Sequence, residues 1–133
     1  MQSQSASALV RLLIFSGQPD PEWALDEQSH DQLAARLRDA VGNRKSNPPP
    51  PPQLGYRGFL VRPGTKETVA LPEFTVWQGV LTVGSDSRAQ HWQDVAGIEQ
   101  MLLGQARERG LGEVLDYFGA GKEDQDQKPW ITR

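Results

Sequence analysis

The 133-residue chain contains no cysteine, only two histidines and only two methionines. Disulfides, thiolate metal sites and thiol nucleophiles are thereby excluded, and an intracellular setting is mildly favoured. Any metal would have to be held by carboxylates together with His30 or His91, and neither histidine has a second one at helical spacing, so no metal or other cofactor is expected. A basic excess is also missing. Lys and Arg number 14 against 17 Asp and Glu, for a net charge of −3, without the positive surplus that tracking a phosphate backbone requires; nucleic acid is not an expected partner. No apolar run approaches the ~18 residues of a membrane span. The longest, Ala8 to Phe15, is broken by Arg11, is preceded by no Lys or Arg and is followed by no small-x-small cleavage motif. It reads as a strand and not as an export signal, which leaves a soluble, cytoplasmic, monomeric protein as the expectation.

At 37% apolar residues a chain of this length should form one domain that buries about two-thirds of its unfolded surface. Residues 1–8 are mostly small or polar and are expected to be disordered. From Leu9 to Phe15 both alternation sets are apolar, which predicts a strand covered on both faces and central in its sheet. Gly17, Pro19 and Pro21 end it. Asp26 or Ser29 is placed to cap a helix whose stripe is Leu33, Leu37 and Val41, stopped by Gly42. His30 borders that stripe and reads as a half-buried edge residue.

Residues 43–53 form a proline-rich loop containing Pro48 to Pro52. Proline has a fixed φ and no N–H, so this segment predicts a polyproline II spacer about 15 Å long. Lys45 to Pro51 also fits the basic-x-x-Pro-x-x-Pro pattern that SH3-type grooves accept, although a spacer is the preferred reading. Beyond it, Gly55 to Arg62 and Phe74 to Val83 read as strands, the latter a single long one with Gly79 at a bulge, and Arg88 to Trp92 as a short edge strand. Asp94 is placed to cap a helix with Val95, Ile98, Leu102 and Ala106 on one face, closed by Gly110. Leu111, Val114, Leu115 and Phe118 predict a short third helix. Residues 119–133 are polar and predict a flexible tail. The expected architecture is therefore one α+β domain over residues 9–118. It is a two-layer sandwich, with a mostly antiparallel sheet of about four strands, two main helices on one face and a short third helix.

Motifs that would carry chemistry fail on their spacing. Gly119 to Lys122 lacks the first Gly and the Ser/Thr of a phosphate loop. Glu123 to Asp126 lacks the Gly and the closing Glu of a calcium loop. No Gly-x-Ser-x-Gly elbow exists, and pairs such as Asp20/Glu22 or Glu67/Glu73 read as surface scatter, so no catalytic residue is nominated.

Two clusters remain as sites. The first loop ends in two prolines and Trp23, and Tyr56 and Arg57 lie between glycines that allow close approach of a backbone or ligand. Gln18, Asp20, Trp23, Tyr56 and Arg57 are the candidate binding residues. The alternative is His91, Trp92 and Asp94, an imidazole, an indole and a carboxylate on the opposite rim.

The segments Phe15-Ser16-Gly17-Gln18-Pro19-Asp20-Pro21-Glu22-Trp23 and Gly55-Tyr56-Arg57-Gly58-Phe59 resemble a group of uncharacterised bacterial proteins that share Phe-Ser-Gly-x-Pro-Asn/Asp-Pro-x-Trp and a later Gly-Tyr-Arg-Gly-Phe. The resemblance implies a bacterial source and carries no activity. Gln18 and Asp20 stand where Arg and Asn are commoner, which argues against an anion-binding loop. The leading expectation is a non-catalytic binding domain with a protein partner of unidentified kind. The runner-up is a small enzyme or metabolite-binding protein that uses His91, Trp92 and Asp94.

Overall fold

In the computed structural model, which describes residues 7–14, 19–49, 55–64, 71–84 and 86–117, the alternation around Val10 becomes strand β1 (Leu9–Leu12). It is followed by β2 (Glu22–Ala24), α1 (Glu27–Ala40), β3 (Phe59–Arg62), β4 (Phe74–Trp77), β5 (Val80–Val83), β6 (Gln90–Gln93), α2 (Ile98–Glu108) and α3 (Gly112–Tyr117). All strands join one antiparallel sheet in the order β2-β1-β3-β4-β5-β6. The α+β class is as expected, but the sheet has six strands and not about four. One extra strand is β2, three residues directly after Pro21 and too short to show alternation. The other arises because Phe74 to Val83 is a hairpin and not one long strand. The chain turns at Gln78 and Gly79, which have φ of +52° and +78°, the paired positive values of a type I′ turn.

Registry lines up the core. One row across the sheet runs Trp23, Val10, Val61, Phe74, and the next runs Leu12, Phe59, Val76, Leu81, Trp92. All nine side chains are buried. They meet Leu33, Leu37 and Ala40 of α1 and Ile98, Leu102, Leu103 and Ala106 of α2 in one cluster, and each large aliphatic or aromatic so buried is worth about 1.5–3 kcal/mol.

On the opposite face Leu9 and Leu13 are only half-buried and none of the described helices packs there, so β1 is not fully buried on both sides, and it lies next to the edge strand β2. The continuous apolar run of β1 suggested two covered faces, but half-exposed aliphatics satisfy it equally.

Local chemistry sets the helix ends. Ser29 N–H donates to the Asp26 carboxylate at 2.7 Å, which identifies Asp26 as the cap of α1. His30 is 3% exposed, inside the core stripe and not at its edge, because it lies three residues before Leu33. Val41, at the end of the expected stripe, falls just past the last turn and is exposed. α2 begins at Ile98, three residues later than its capping residue suggested, and Val95 is 49% exposed. The helix closes at Gly110, φ +86°, where Leu111 N–H reaches back to Ala106 O, as in a Schellman closure. Of the expected disordered N-terminus, residues 1–6 lie outside the described residues, as do Gln18, Pro50 to Pro52, Phe118 and the 119–133 tail.

Two expected results follow from these ends. The Asp26 carboxyl is held below its ordinary value, first by the Ser29 backbone N–H, then by the Ser29 hydroxyl, with Arg109 adding attraction. A carboxyl whose folded pKa is depressed contributes stability above its unfolded pKa and loses it as pH falls through the folded value. The protection of first-turn amides of α1, relative to their intrinsic exchange rate at each pH, should therefore fall below about pH 4, and Asp26→Asn should flatten that dependence. At the hairpin, Gln78 occupies a left-handed conformation that asparagine tolerates better. Gln78→Asn is expected to raise stability by about 0.5 kcal/mol, seen as a higher urea midpoint with an unchanged slope.

Candidate functional site

One end of the sheet gathers the C-terminus of β1, the start of β2, the entry to β3, the β4–β5 turn and the passage from β6 to α2. Asp20 sits where the first loop rejoins the sheet, and its carboxylate accepts from Ile14 N–H at 3.1 Å. Leu12 N–H donates to Pro21 O at 2.9 Å. The far end of that loop is thus stitched to β1.

At the entry to β3, Arg57 N–H donates to Leu13 O at 2.7 Å while Leu13 N–H donates to Gly58 O at 2.9 Å. Two residues therefore stand opposite one, which is a β-bulge. The bulge lies here and not at Gly79, where the sequence had suggested it. Gly58 makes it possible: its φ is +91°, and a Cβ there would lie 2.1 Å from Val76 O and 2.7 Å from Trp77 Cβ. The close approach anticipated from the glycines is made by the chain's own strand β4.

The bulge sends Tyr56 toward the helices. Its hydroxyl donates to Glu99 Oε2 at 2.5 Å, and the other Glu99 oxygen accepts from Gly79 N–H at 2.9 Å. Asp94 N–H donates to Gly79 O, and its carboxylate accepts from Ile98 N–H at 2.7 Å and Glu99 N–H at 2.8 Å. One carboxylate thus caps α2 and the next ties that helix end to β3 and the β4–β5 turn. Asp94→Ala should cost about 1–2 kcal/mol, in the range of lost caps, as measured by chemical denaturation.

Trp23 belongs to the same packing unit. Its ring and that of Tyr56 meet the edges of Phe59 at centroid distances of 6.3 and 6.0 Å. Its indole N–H donates to Gln105 Oε1 at 2.9 Å, and Arg109 lies 5.3 Å from its ring centre. Trp23 and Tyr56 therefore seat the two ends of α2, whereas Asp20 and Arg57 remain half-buried at the rim. Arg57 Nε donates to Gly55 O at 3.3 Å. Gln18 lies outside the described residues.

The alternative trio does not converge. His91 is half-buried on the face opposite the described helices, its Nδ1 3.0 Å from the Thr82 hydroxyl. Trp92 turns to the helix face, where Lys45 Nζ lies 5.8 Å from its ring centre and its indole N–H is buried with no hydrogen-bond partner among the described residues. Asp94 is committed to α2. Strand alternation sends neighbours to opposite faces, so adjacency of His91 and Trp92 in sequence means separation in space. Asp94 also lies at the same end of the sheet as Tyr56, linked to it through Glu99, and not on an opposite rim.

Glu99, Gln105 and Gln78 are participants that sequence reasoning missed. Glu99 and Gln105 contact residues 43 and 82 positions away, for which one-dimensional spacing offers no signal; Gln78 was hidden because Gln-Gly is not the usual Asn-Gly turn pair. Among the described residues no three His, Asp or Glu are grouped so as to hold a metal ion, and no helix is long and apolar enough to cross a membrane. No family model, curated protein or solved structure matches the chain.

Proposed function

We propose that this domain is a non-catalytic binding module that recognises a protein partner at the rim formed by Asp20, Arg57 and the Gln78-Gly79 turn, with Trp23 and Tyr56 as the rigid support beneath it. The observation that carries this reading is the strained backbone of Gln78, the one non-glycine residue with positive φ among those described, beside a β-bulge at Arg57 and Gly58. Strain of this kind persists where surrounding structure holds it, and it concentrates at functional surfaces. Here the brace is Glu99, bonded to the turn and to Tyr56.

The state of the carboxylates favours recognition over reaction. Asp20 and Asp94 are engaged with main-chain N–H groups, and Glu99 with an N–H and a hydroxyl. Groups so committed hold a surface rigid, which lowers the entropy cost of binding.

The test is site-specific photocrosslinking in the native host. A photoreactive phenylalanine analogue replaces Gln78 in one variant and Gln28, an exposed residue on α1, in another. A discrete adduct from position 78 alone, lost on adding Arg57→Ala while the melting temperature is kept, is the expected outcome. Adducts from both positions, or none from position 78, would reject the rim as the binding surface.

A further inference from the structure

A sheet of six strands has two edges, and an edge with open N–H and C=O groups is a template for pairing with another chain. The β2 edge is short, three residues, and directly follows Pro21, with Pro19 two residues earlier. The β6 edge is treated differently. The segment between α1 and the proline run lies along it: Gln93 N–H donates to Arg44 O at 2.8 Å, Ser46 N–H donates to His91 O at 3.0 Å, and Lys45 forms an isolated antiparallel bridge with Trp92. Lys45 also extends its ammonium over the Trp92 ring.

Among the described residues this cover goes no further. After Asn47 come Pro48 and Pro49, which have no N–H with which to continue a ladder. Arg44, Lys45, Asn47 and Pro48 are exposed, and a shallow cleft of about 500 Å³ runs beside the segment, lined by Lys45, Ser46, Asn47, Pro48, Val80 and Gln93. The segment therefore lies in the place of a seventh strand, held by two backbone bonds, a 3.5 Å bond from the Gln93 side-chain amide to Lys45 O and one cation–π contact.

We infer that residues 44–47 form a strap that closes a latent pairing edge on β6, and that a second copy of this chain takes its place when the strap is released. The geometry suits a two-fold partner. β6 is four residues long, antiparallel to its neighbours and ends in exposed Gln90 and Gln93, so two copies of it can pair antiparallel in an isologous contact with Trp92 near the axis. The prolines have a second consequence: with no N–H to offer, they stop the strap from extending as a strand beyond Asn47.

The test compares the full chain with Ser46→Pro, which deletes the donor to His91 O, by sedimentation equilibrium over a concentration series, with hydrogen exchange at Gln93 as the local readout. In the wild type the Gln93 amide is protected by Arg44 at every concentration. In the variant it should exchange quickly when dilute and become protected again as concentration rises, while the dimer fraction at a fixed concentration increases at least tenfold. A folded variant that keeps the wild-type mass overturns the inference, and so does association that leaves the Gln93 amide fast. A wild-type chain already paired through β6 overturns it too. If circular dichroism shows Ser46→Pro to be unfolded, Lys45→Gly, which loosens the strap without touching either backbone bond directly, decides by the same outcomes.

Discussion

Gly58→Ala is expected to destabilise the domain by about 3 kcal/mol or more, because two separate costs fall on one methyl group. The first is the left-handed backbone at φ +91°; the second is a Cβ placed 2.1 Å from Val76 O, where the obstructing atom belongs to a paired strand and not to a flexible side-chain tip. Relief would require β3 and β4 to separate at the bulge, which would also shift Tyr56 off Glu99. With a domain of this kind stable by about 5–15 kcal/mol in total, the variant should show a large drop in urea midpoint. Gly104→Ala provides the control of opposite sign. Gly104 lies in α2 with open space around its missing Cβ and no positive φ, so alanine there should add about 0.5–1 kcal/mol through helix propensity. If both substitutions proved neutral, the tight crossing of β3 against β4 would be wrong.

Phe59→Ala should cost about 3–5 kcal/mol, the range for emptying a buried aromatic site. Phe59 is fully buried between Leu12 and Val76 in its row and touches both Trp23 and Tyr56. Its loss would free the two aromatics that seat α2, so the hydrogen bonds to Gln105 and Glu99 should weaken along with the packing. Denaturation followed by tryptophan fluorescence and amide exchange along α2 would register both effects. Phe59→Leu retains most of the volume and should cost less, about 1–2 kcal/mol. Equal costs for the two variants would mean that the aromatic contacts contribute little beyond volume.

These two residues also explain why the candidate site was only partly legible. The Gly-Tyr-Arg-Gly-Phe segment stands out in sequence because it combines flexible and bulky residues, a contrast that allows close approach of either a backbone or a ligand. In the fold, Gly58 accommodates β4, Phe59 fills the core and Tyr56 braces α2. Asp20 and Trp23 of the first motif are likewise fixed to Ile14 and Gln105. Much of the pattern in both motifs therefore reflects construction of the sheet end, and the proposed recognition surface is the rim that this construction presents. His91, Trp92 and Asp94 illustrate the opposite error, since proximity in sequence on a strand distributes side chains to two faces.

What the amino-acid order determined by itself was everything carried by local chemistry. A continuous apolar run marked β1, and runs of strand-forming residues between turn signals marked β3 and β6; Asp26 or Ser29, and Asp94, marked the approach to helices, and Gly110 marked an end; the order of these elements set the α+β class. These signals act over a few residues, through dihedral preference, capping and amphipathicity, and can be read without knowing the rest of the chain. The tertiary structure alone decided which face of the sheet the helices cover, that Phe74 to Val83 doubles back on itself, that Tyr56 meets Glu99, and that the segment before the prolines closes the β6 edge. Each of those depends on a contact between residues far apart in sequence, whose energy arises only when the strands are in register, and no local pattern encodes that register.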